Sequence, residues 1–332
     1  MAAETALDCA SPEVLDALQL PVVDIGALRD GSDPQSVADA LHRANRDLGF
    51  IYVTNHGIDL SLLEDARSAA MEFFRQPAQR KLDLGISDKH RGFLKMGASR
   101  MQDDVLPDLK ESFIWGIEDE DGHTPEDHSL RGENRWPAGM PGMRLAAHRW
   151  FLEADRLARV LLQGFALGLG LERGFFLKSC QLPMSRGAFV YYPPQPPAIG
   201  ADQFGVAPHT DFGMLTLLCQ DDVGGLQVQG ATGQWVQAPP IAGSLVINVG
   251  DLLARWTSQM YRSTPHRVIN ASGRERLSLV LAFDPDPDTV IDPEQVFPGR
   301  KDQAVPITCG DYLVWRFGKS FDYRAESARR NA

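Results

Sequence analysis

The chain has 332 residues, with 33 basic and 44 acidic side chains and a formal charge of −11. That balance argues against a nucleic-acid partner, which needs a basic face, and no apolar run approaches the roughly 18 residues of a membrane span. Cys9, Cys180, Cys219 and Cys309 are widely spaced with no Cys-x-x-Cys pair, and the N-terminus lacks a secretory pattern, so thiols in a cytoplasmic setting are expected.

The first half reads as mainly helical. Leu20-Pro-Val-Val-Asp-Ile25 is a short strand. Asp33 and Pro34 supply an N-cap and a first-turn proline, and Val37, Leu41, Ala44 and Leu48 recur at helical spacing until Gly49. Phe50 to Thr54 is a strand, Asn55-His56-Gly57 a turn that His56 organises, and Ser61 with Glu64 a capping-box pattern opening the next helix. From about 88 to 139 the chain is polar and irregular, with His123 and His128 expected in solvent and His42, His90 and His148 without a partner pattern. A long helix is predicted from about 143 to 168. The period then changes to two. Short strands are predicted at 187–192, 214–219, 226–228, 234–236, 244–249, 266–269 and 277–283, punctuated by Gly and Pro, and a last helix near 311–323. Many short strands with tight turns indicate a sandwich, barrel or jelly roll. No linker divides the chain, so residues 1–332 are expected to form one domain: a helical part at about 18–170, a β core at about 185–290, and the closing helix.

One constellation carries chemistry. Pro208-His209-Thr210-Asp211 is followed, 57 residues after its histidine (266 − 209), by Pro265-His266-Arg267. Two imidazoles and one carboxylate make the set that holds Fe(II) on one face and leaves the opposite positions open. Ten residues later (276 − 266) comes Arg276-Leu277-Ser278. On a strand, Arg276 and Ser278 share a face, and an arginine fork beside a hydroxyl suits a carboxylate-bearing cosubstrate. Zinc is the competing metal, but a catalytic zinc that activates water needs no such clamp.

The ordered motifs resemble the isopenicillin N synthase-like branch of the Fe(II)/2-oxoglutarate-dependent dioxygenases. Leu48-Gly-Phe-Ile-Tyr-Val-Thr-Asn-His-Gly-Ile58, Phe73-Phe-Arg-Gln-Pro77, Asn134-Arg-Trp-Pro137, Tyr191-Tyr-Pro-Pro194, His209-Thr-Asp-Phe-Gly-Met-Leu-Thr-Leu-Leu-Cys-Gln220, Gly224-Gly-Leu-Gln-Val228 and Asn248-Val-Gly-Asp251 carry the likeness, over about residues 18–324. The resemblance implies a double-stranded β-helix (jelly roll) with flanking helices. It implies Fe(II) on His209, Asp211 and His266, and 2-oxoglutarate whose distal carboxylate meets Arg276, Ser278 and Tyr192. It implies an oxidoreductase that uses O₂ to oxidise an unactivated C–H bond of a small-molecule substrate, by hydroxylation or by desaturation or ring closure. Val190 stands where the family's plant enzymes carry an Asn that helps to hold the cosubstrate. Some relatives with the same Arg-x-Ser dispense with 2-oxoglutarate, so an iron oxidase on the same site is the alternative reading, and a non-catalytic binding protein a more distant one.

Strand parity extends the face of Arg276 and Ser278 to Val280, Ala282 and Asp284. Asp284 is expected near the mouth, either contacting a polar group of the substrate or capping a turn before Pro285. Phe212 is expected to line the pocket and Met214 to pack in the core. Phe93 and Lys95 in the irregular region, and Arg316 and Phe317 in the last helix, are candidate lid residues, Arg316 with a solvated alternative.

Overall fold

The computed structural model describes residues 20–99, 106–195, 203–300, 304–321 and 323–324; Cys9 and part of the irregular stretch, 100–105, lie outside the described residues. In chain order the elements are β1 (Val22–Asp24), α1 (Gly26–Asp30), α2 (Pro34–Asp47), β2 (Phe50–Thr54), α3 (Leu60–Phe74), α4 (Ala78–Leu82), β3 (Gly92–Leu94) and β4 (Glu111–Gly116). Then follow α5 (Pro141–Gly168), β5 (Arg186–Tyr192), β6 (Val206–His209), β7 (Leu215–Gln220), β8 (Leu226–Gln229), β9 (Trp235–Gln237) and β10 (Leu245–Val249). The chain closes with α6 (Asp251–Trp256), β11 (His266–Val268), β12 (Arg276–Phe283), β13 (Val290–Ile291), β14 (Ile307–Thr308) and α7 (Cys309–Ser320). No helix among the described residues is long and apolar enough to cross a membrane.

Two sheets form the jelly roll. The larger has the order β1-β2-β10-β7-β12-β5-β4-β3, and the smaller β6-β11-β8-β9. The long strand β12 shows how sequence sets the layers. Leu277, Leu279, Leu281 and Phe283 point outward into the main core, where α5 packs with Trp150, Leu157, Leu161 and Phe165. Arg276, Ser278, Val280 and Ala282 alternate with them and line an inner cavity. Strands β7 and β10 follow the same rule: Leu215, Leu217, Leu245 and Ile247 join the helices, while Thr216, Leu218 and Asn248 face inward. Period-two alternation with large aliphatics on one side therefore builds a sheet buried on both faces.

Several boundaries differ from the sequence reading, each for a local reason. Helix α2 opens as expected, with Asp33 Oδ1 accepting from Ser36 N–H. Helix α3 is capped by Asp59, which accepts from Ser61 N–H at 2.8 Å, rather than by Ser61 itself. A carboxylate two residues earlier caps at least as well and lengthens the helix. The polar stretch hides β4, whose Phe113 and Trp115 are buried and which extends the large sheet through β5. His128 is half-buried rather than solvated.

The sheets meet the loop that follows β6 at a tight crossing. Gly250 N–H donates to Met214 C=O at 2.9 Å, Asp251 N–H to Asp211 C=O at 2.8 Å and Leu252 N–H to Gly213 C=O at 3.0 Å. A Cβ on Gly250 would fall 2.2 Å from the Gly213 carbonyl oxygen. Backbone cannot yield as a side chain can, so Gly250→Ala is expected to destabilise the fold by about 1–3 kcal/mol. Chemical denaturation read against the parent checks this, and an unchanged midpoint would show that the crossing is slack.

Candidate metal centre

His209 closes β6 and His266 opens β11, and the two residues are direct partners across this antiparallel pair. Their rings lie 4.2 Å apart, centre to centre. Asp211 stands two positions beyond β6, with its Oδ1 3.7 Å from Nε2 of each histidine. One ligand atom from each residue falls within 4.8 Å of the others, and among the described residues this is the only such group of His, Cys, Asp and Glu.

The surrounding bonds aim these atoms. His209 Nδ1 lies 2.8 Å from the Ala207 carbonyl oxygen, and His266 Nδ1 lies 3.2 Å from that of Thr264. A carbonyl only accepts, so each Nδ1 carries the proton and each ring turns its Nε2 toward Asp211. Asn248 Nδ2 donates to Asp211 Oδ2 at 2.7 Å, which leaves Oδ1 facing the imidazoles. Burial, reinforced by His266, holds His209 down to about 3, so this imidazole is neutral at physiological pH. Burial pushes the Asp211 carboxyl upward, but His266, His209 and the bonds from Asn248 and Thr216 outweigh it, and the group lies below its ordinary value. Two imidazole nitrogens and an ionised carboxylate converging on one point fit a divalent metal.

Beside them the cavity holds Arg276, only 1% exposed. Its Nε donates to Gly224 C=O at 2.6 Å and its Nη1 to Ser278 Oγ at 2.8 Å. The guanidinium lies 4.6 Å from the centre of the Tyr192 ring. Its Nη2 is buried without a hydrogen-bond partner among the described residues. A buried, unpaired guanidinium N–H costs on the order of 1–3 kcal/mol or more, so this group is suited to an anionic oxygen. Val190, at the departure from the family pattern, sits opposite Ser278 in the β5–β12 register and offers only an apolar wall.

The cavity measures about 220 Å³ and collects His209, Asp211, Phe212, His266, Tyr192, Arg276 and Ser278. Four other sequence candidates lie elsewhere. Asp284 is fully buried rather than at a mouth, and its Oδ2 lies 2.8 Å from Arg186 Nη2. Beyond the end of β12 its carboxylate turns to the nearest cation. Phe93 is buried against Phe73, because β3 pairs with β4 inside the sheet rather than forming a lid. Lys95 is exposed. Arg316 stacks 4.2 Å from the Phe212 ring and lies 3.5 Å from Asp251, outside the cavity wall. Its neighbour Phe317 does line the cavity, as does Phe321.

Sequence reasoning passed over four further wall residues, Arg186, His90, Lys110 and Asn248. His90 meets the hydroxyl of Tyr323, 233 positions away, a contact no local pattern announces. Arg186 opens a strand whose alternation could have flagged it, since it faces Ala282 across the register.

Comparison with known proteins decides the family. Residues 20–139 match the model described as the N-terminal part of non-haem dioxygenases in morphine synthesis, and residues 186–285 match that of the 2OG-Fe(II) oxygenase superfamily. The 2-oxoglutarate-Fe(II) type oxidoreductase hxnY of Emericella nidulans is 31% identical, over 93% of this chain and 92% of that protein. The chain belongs to the Fe(II)/2-oxoglutarate-dependent dioxygenase family. Validamycin A dioxygenase of Streptomyces hygroscopicus subsp. limoneus is 32% identical, over 82% of this chain and 79% of that protein. The crystal structure of a full-length Neurospora crassa protein in complex with alpha-KG and thymine aligns with a TM-score of 0.81 at 28% identity, covering 93% and 99% of the two chains. JOX2 in complex with 2OG, Fe and JA aligns with a TM-score of 0.75 at 25% identity, covering 93% and 90%. The enzyme is thus an oxidoreductase that takes Fe(II), 2-oxoglutarate and O₂ and has the jelly-roll fold expected from its motifs.

Proposed function

We propose that His209, Asp211 and His266 hold the Fe(II), and that Arg276 and Ser278 hold the distal carboxylate of 2-oxoglutarate against the Tyr192 ring. The unpaired Arg276 Nη2 carries this reading, because it is the one buried donor of the cavity wall left without a partner among the described residues. It also favours the dicarboxylate over an iron oxidase that needs no 2-oxoglutarate. When bound, the iron and cosubstrate supply the oxidant that takes hydrogen from an unactivated C–H bond, with succinate and CO₂ as coproducts.

The protein's own contribution is placement. The histidines, fixed through their Nδ1 protons, and Asp211, fixed by Asn248, keep three donors on one side of the metal. Val280, Ala282, Val190 and Leu218 form a dry wall around the reacting centre. A cavity of about 220 Å³ is small beside the roughly 300–1,000 Å³ that accommodates drug-sized ligands, and the cosubstrate takes part of it. The substrate is therefore a small molecule, in keeping with relatives crystallised with thymine or JA. Hydroxylation is the simplest outcome, and desaturation or ring closure uses the same hydrogen removal. The buried free thiols of Cys180, Cys219 and Cys309 support a reducing, cytoplasmic setting.

The deciding experiment is succinate release by the iron-loaded protein with and without 2-oxoglutarate. A protein that consumes O₂ productively without 2-oxoglutarate would overturn the assignment. The support from Asn248 is separately testable. Removing it frees Asp211 to rotate, so Asn248→Ala is expected to weaken metal binding about 10–100-fold. Titration with Mn(II), followed by its paramagnetic resonance signal, measures this directly.

A further inference from the structure

The inner cavity has a second charged end. Arg276 faces Tyr192, and Ala282, six positions along β12 (282 − 276), faces Arg186. The two arginines thus project from one inner face about 20 Å apart at ~3.3 Å per residue, and both line the cavity that also holds His209, Asp211 and His266. Arg186 is 7% exposed. Its Nη1 donates to Met184 C=O at 3.1 Å, and its Nη2 lies 2.8 Å from Asp284. Its guanidinium lies 4.9 Å from the centre of the Phe317 ring and still borders the cavity, beside His90, Phe321 and Phe212.

Charge bookkeeping separates the two ends. With metal and cosubstrate in place, the dication, the Asp211 carboxylate, the 2-oxoglutarate dianion and Arg276 cancel. Lys110 is balanced by Asp108, 3.4 Å away. At the Arg186 end the ion pairs among the described residues leave a positive charge over. Behind Arg186 sits Arg91, 3% exposed, which donates to the carbonyls of Lys89 and His90 and has no acidic side chain in ion-pair contact among the described residues. Burial, with Arg186 next, pulls Arg91 down to about 9, so it remains a cation at neutral pH. Arg131 has its own partner in Asp127, at 2.8 Å. Burial, with Arg186, Arg91 and Arg324 adding to it, keeps His90 neutral. Among the described residues Arg186 pairs with Asp284 while Arg91 has no acidic partner, and a buried positive charge without a counter-charge is costly.

We propose that Arg186 is a specificity-determining residue and that the substrate is a small monocarboxylate, its anionic end on Arg186 and its apolar body against Phe212, Phe317 and Phe321. This rests on the iron and 2-oxoglutarate placement above and adds the substrate class. Asp284, which from sequence either contacts the substrate or caps a turn, is then a positioning residue: it pairs with the guanidinium that sits over Phe317. One negative charge on the ligand completes the count, whereas an amide or ester of the same shape leaves the cavity end charged.

The test uses the full-length protein loaded with iron and 2-oxoglutarate. A panel of small aromatic and alicyclic monocarboxylates is compared with the matching primary amides and methyl esters. Substrate-stimulated succinate release is one readout. Binding to the Mn(II)- and 2-oxoglutarate-loaded protein, by calorimetry, is the other. The acids are expected to bind and stimulate at least ~30-fold more effectively than their neutral counterparts, the fold-change of a buried charge left unpartnered. In Arg186→Gln the ratio of acid to amide affinity should fall to about one, and Arg186→Lys should restore part of it. Thermal melting of both variants establishes that they are folded. Equal response to acids and amides in the parent, a preference that survives Arg186→Gln, or no acid that binds at all would overturn the proposal. Failure of the Mn(II)-loaded parent to bind 2-oxoglutarate would instead strike the underlying reading.

Discussion

Replacing His266 with Ala is expected to abolish 2-oxoglutarate-dependent succinate formation while leaving the fold standing. Three donors converge on one point, and no fourth His, Cys, Asp or Glu among the described residues joins them, so nothing nearby can substitute. The imidazole is buried and packs edge-on to Phe50, 5.0 Å away. Its loss opens a modest cavity, of the kind that destabilises by about 1–3 kcal/mol, and removes no sheet hydrogen bond. An activity-independent readout follows from linkage. A metal that binds only the folded state stabilises the parent by about 2.7 kcal/mol at a hundredfold excess over its dissociation constant. The parent should therefore melt higher with Mn(II), and the His266→Ala protein should show little or no shift. A full metal-induced shift in the variant would remove His266 from the ligand set.

How much of this was legible beforehand depended on the range of the interaction. Strand β12 could be read because its even positions are small or polar and its odd positions are large aliphatics, a pattern of period two that survives folding intact. That parity correctly placed Arg276, Ser278, Val280 and Ala282 on one inner wall. It did not reveal the depth of Asp284, one residue past the end of the strand, which is fully buried and paired with Arg186 on a neighbouring strand nearly a hundred residues earlier in the chain. Phe93 failed for a related reason. A lone aromatic in a polar stretch suggests a lid, but β4 lies ahead of it and β3 folds back against β4. The histidines were legible as a set on neighbouring strands, while the register that makes His209 and His266 direct partners is not written in their 57-residue spacing. The buried cations at the far end of the cavity were hidden altogether, since their balance exists only once strands, loops and the terminal helix have met.

Substituting Arg276 with Ala is expected to weaken 2-oxoglutarate binding by about 2–5 kcal/mol, the range for losing one partner of a buried charge pair. Each donor of the guanidinium has a distinct fate in the structure. Nε is committed to Gly224 C=O and Nη1 to Ser278 Oγ, so the plane of the fork is fixed before any ligand arrives. Among the described residues Nη2 alone remains unpaired, and a preset donor loses little freedom on binding. Ser278→Ala removes one of the supports and leaves the charge, so it should cost about 1 kcal/mol. The decisive comparison pairs 2-oxoglutarate with 2-oxopentanoate, which keeps the keto acid but carries a methyl group in place of the distal carboxylate. The parent should prefer the dicarboxylate strongly. In Arg276→Ala that preference should collapse because the dicarboxylate is lost while binding of the monocarboxylate changes little, and Arg276→Gln, which fills more of the same space, should behave alike. If the preference persisted in both folded variants, the distal carboxylate would be held by another cation of the cavity, and Lys110 and Arg186 would be the side chains to exchange next.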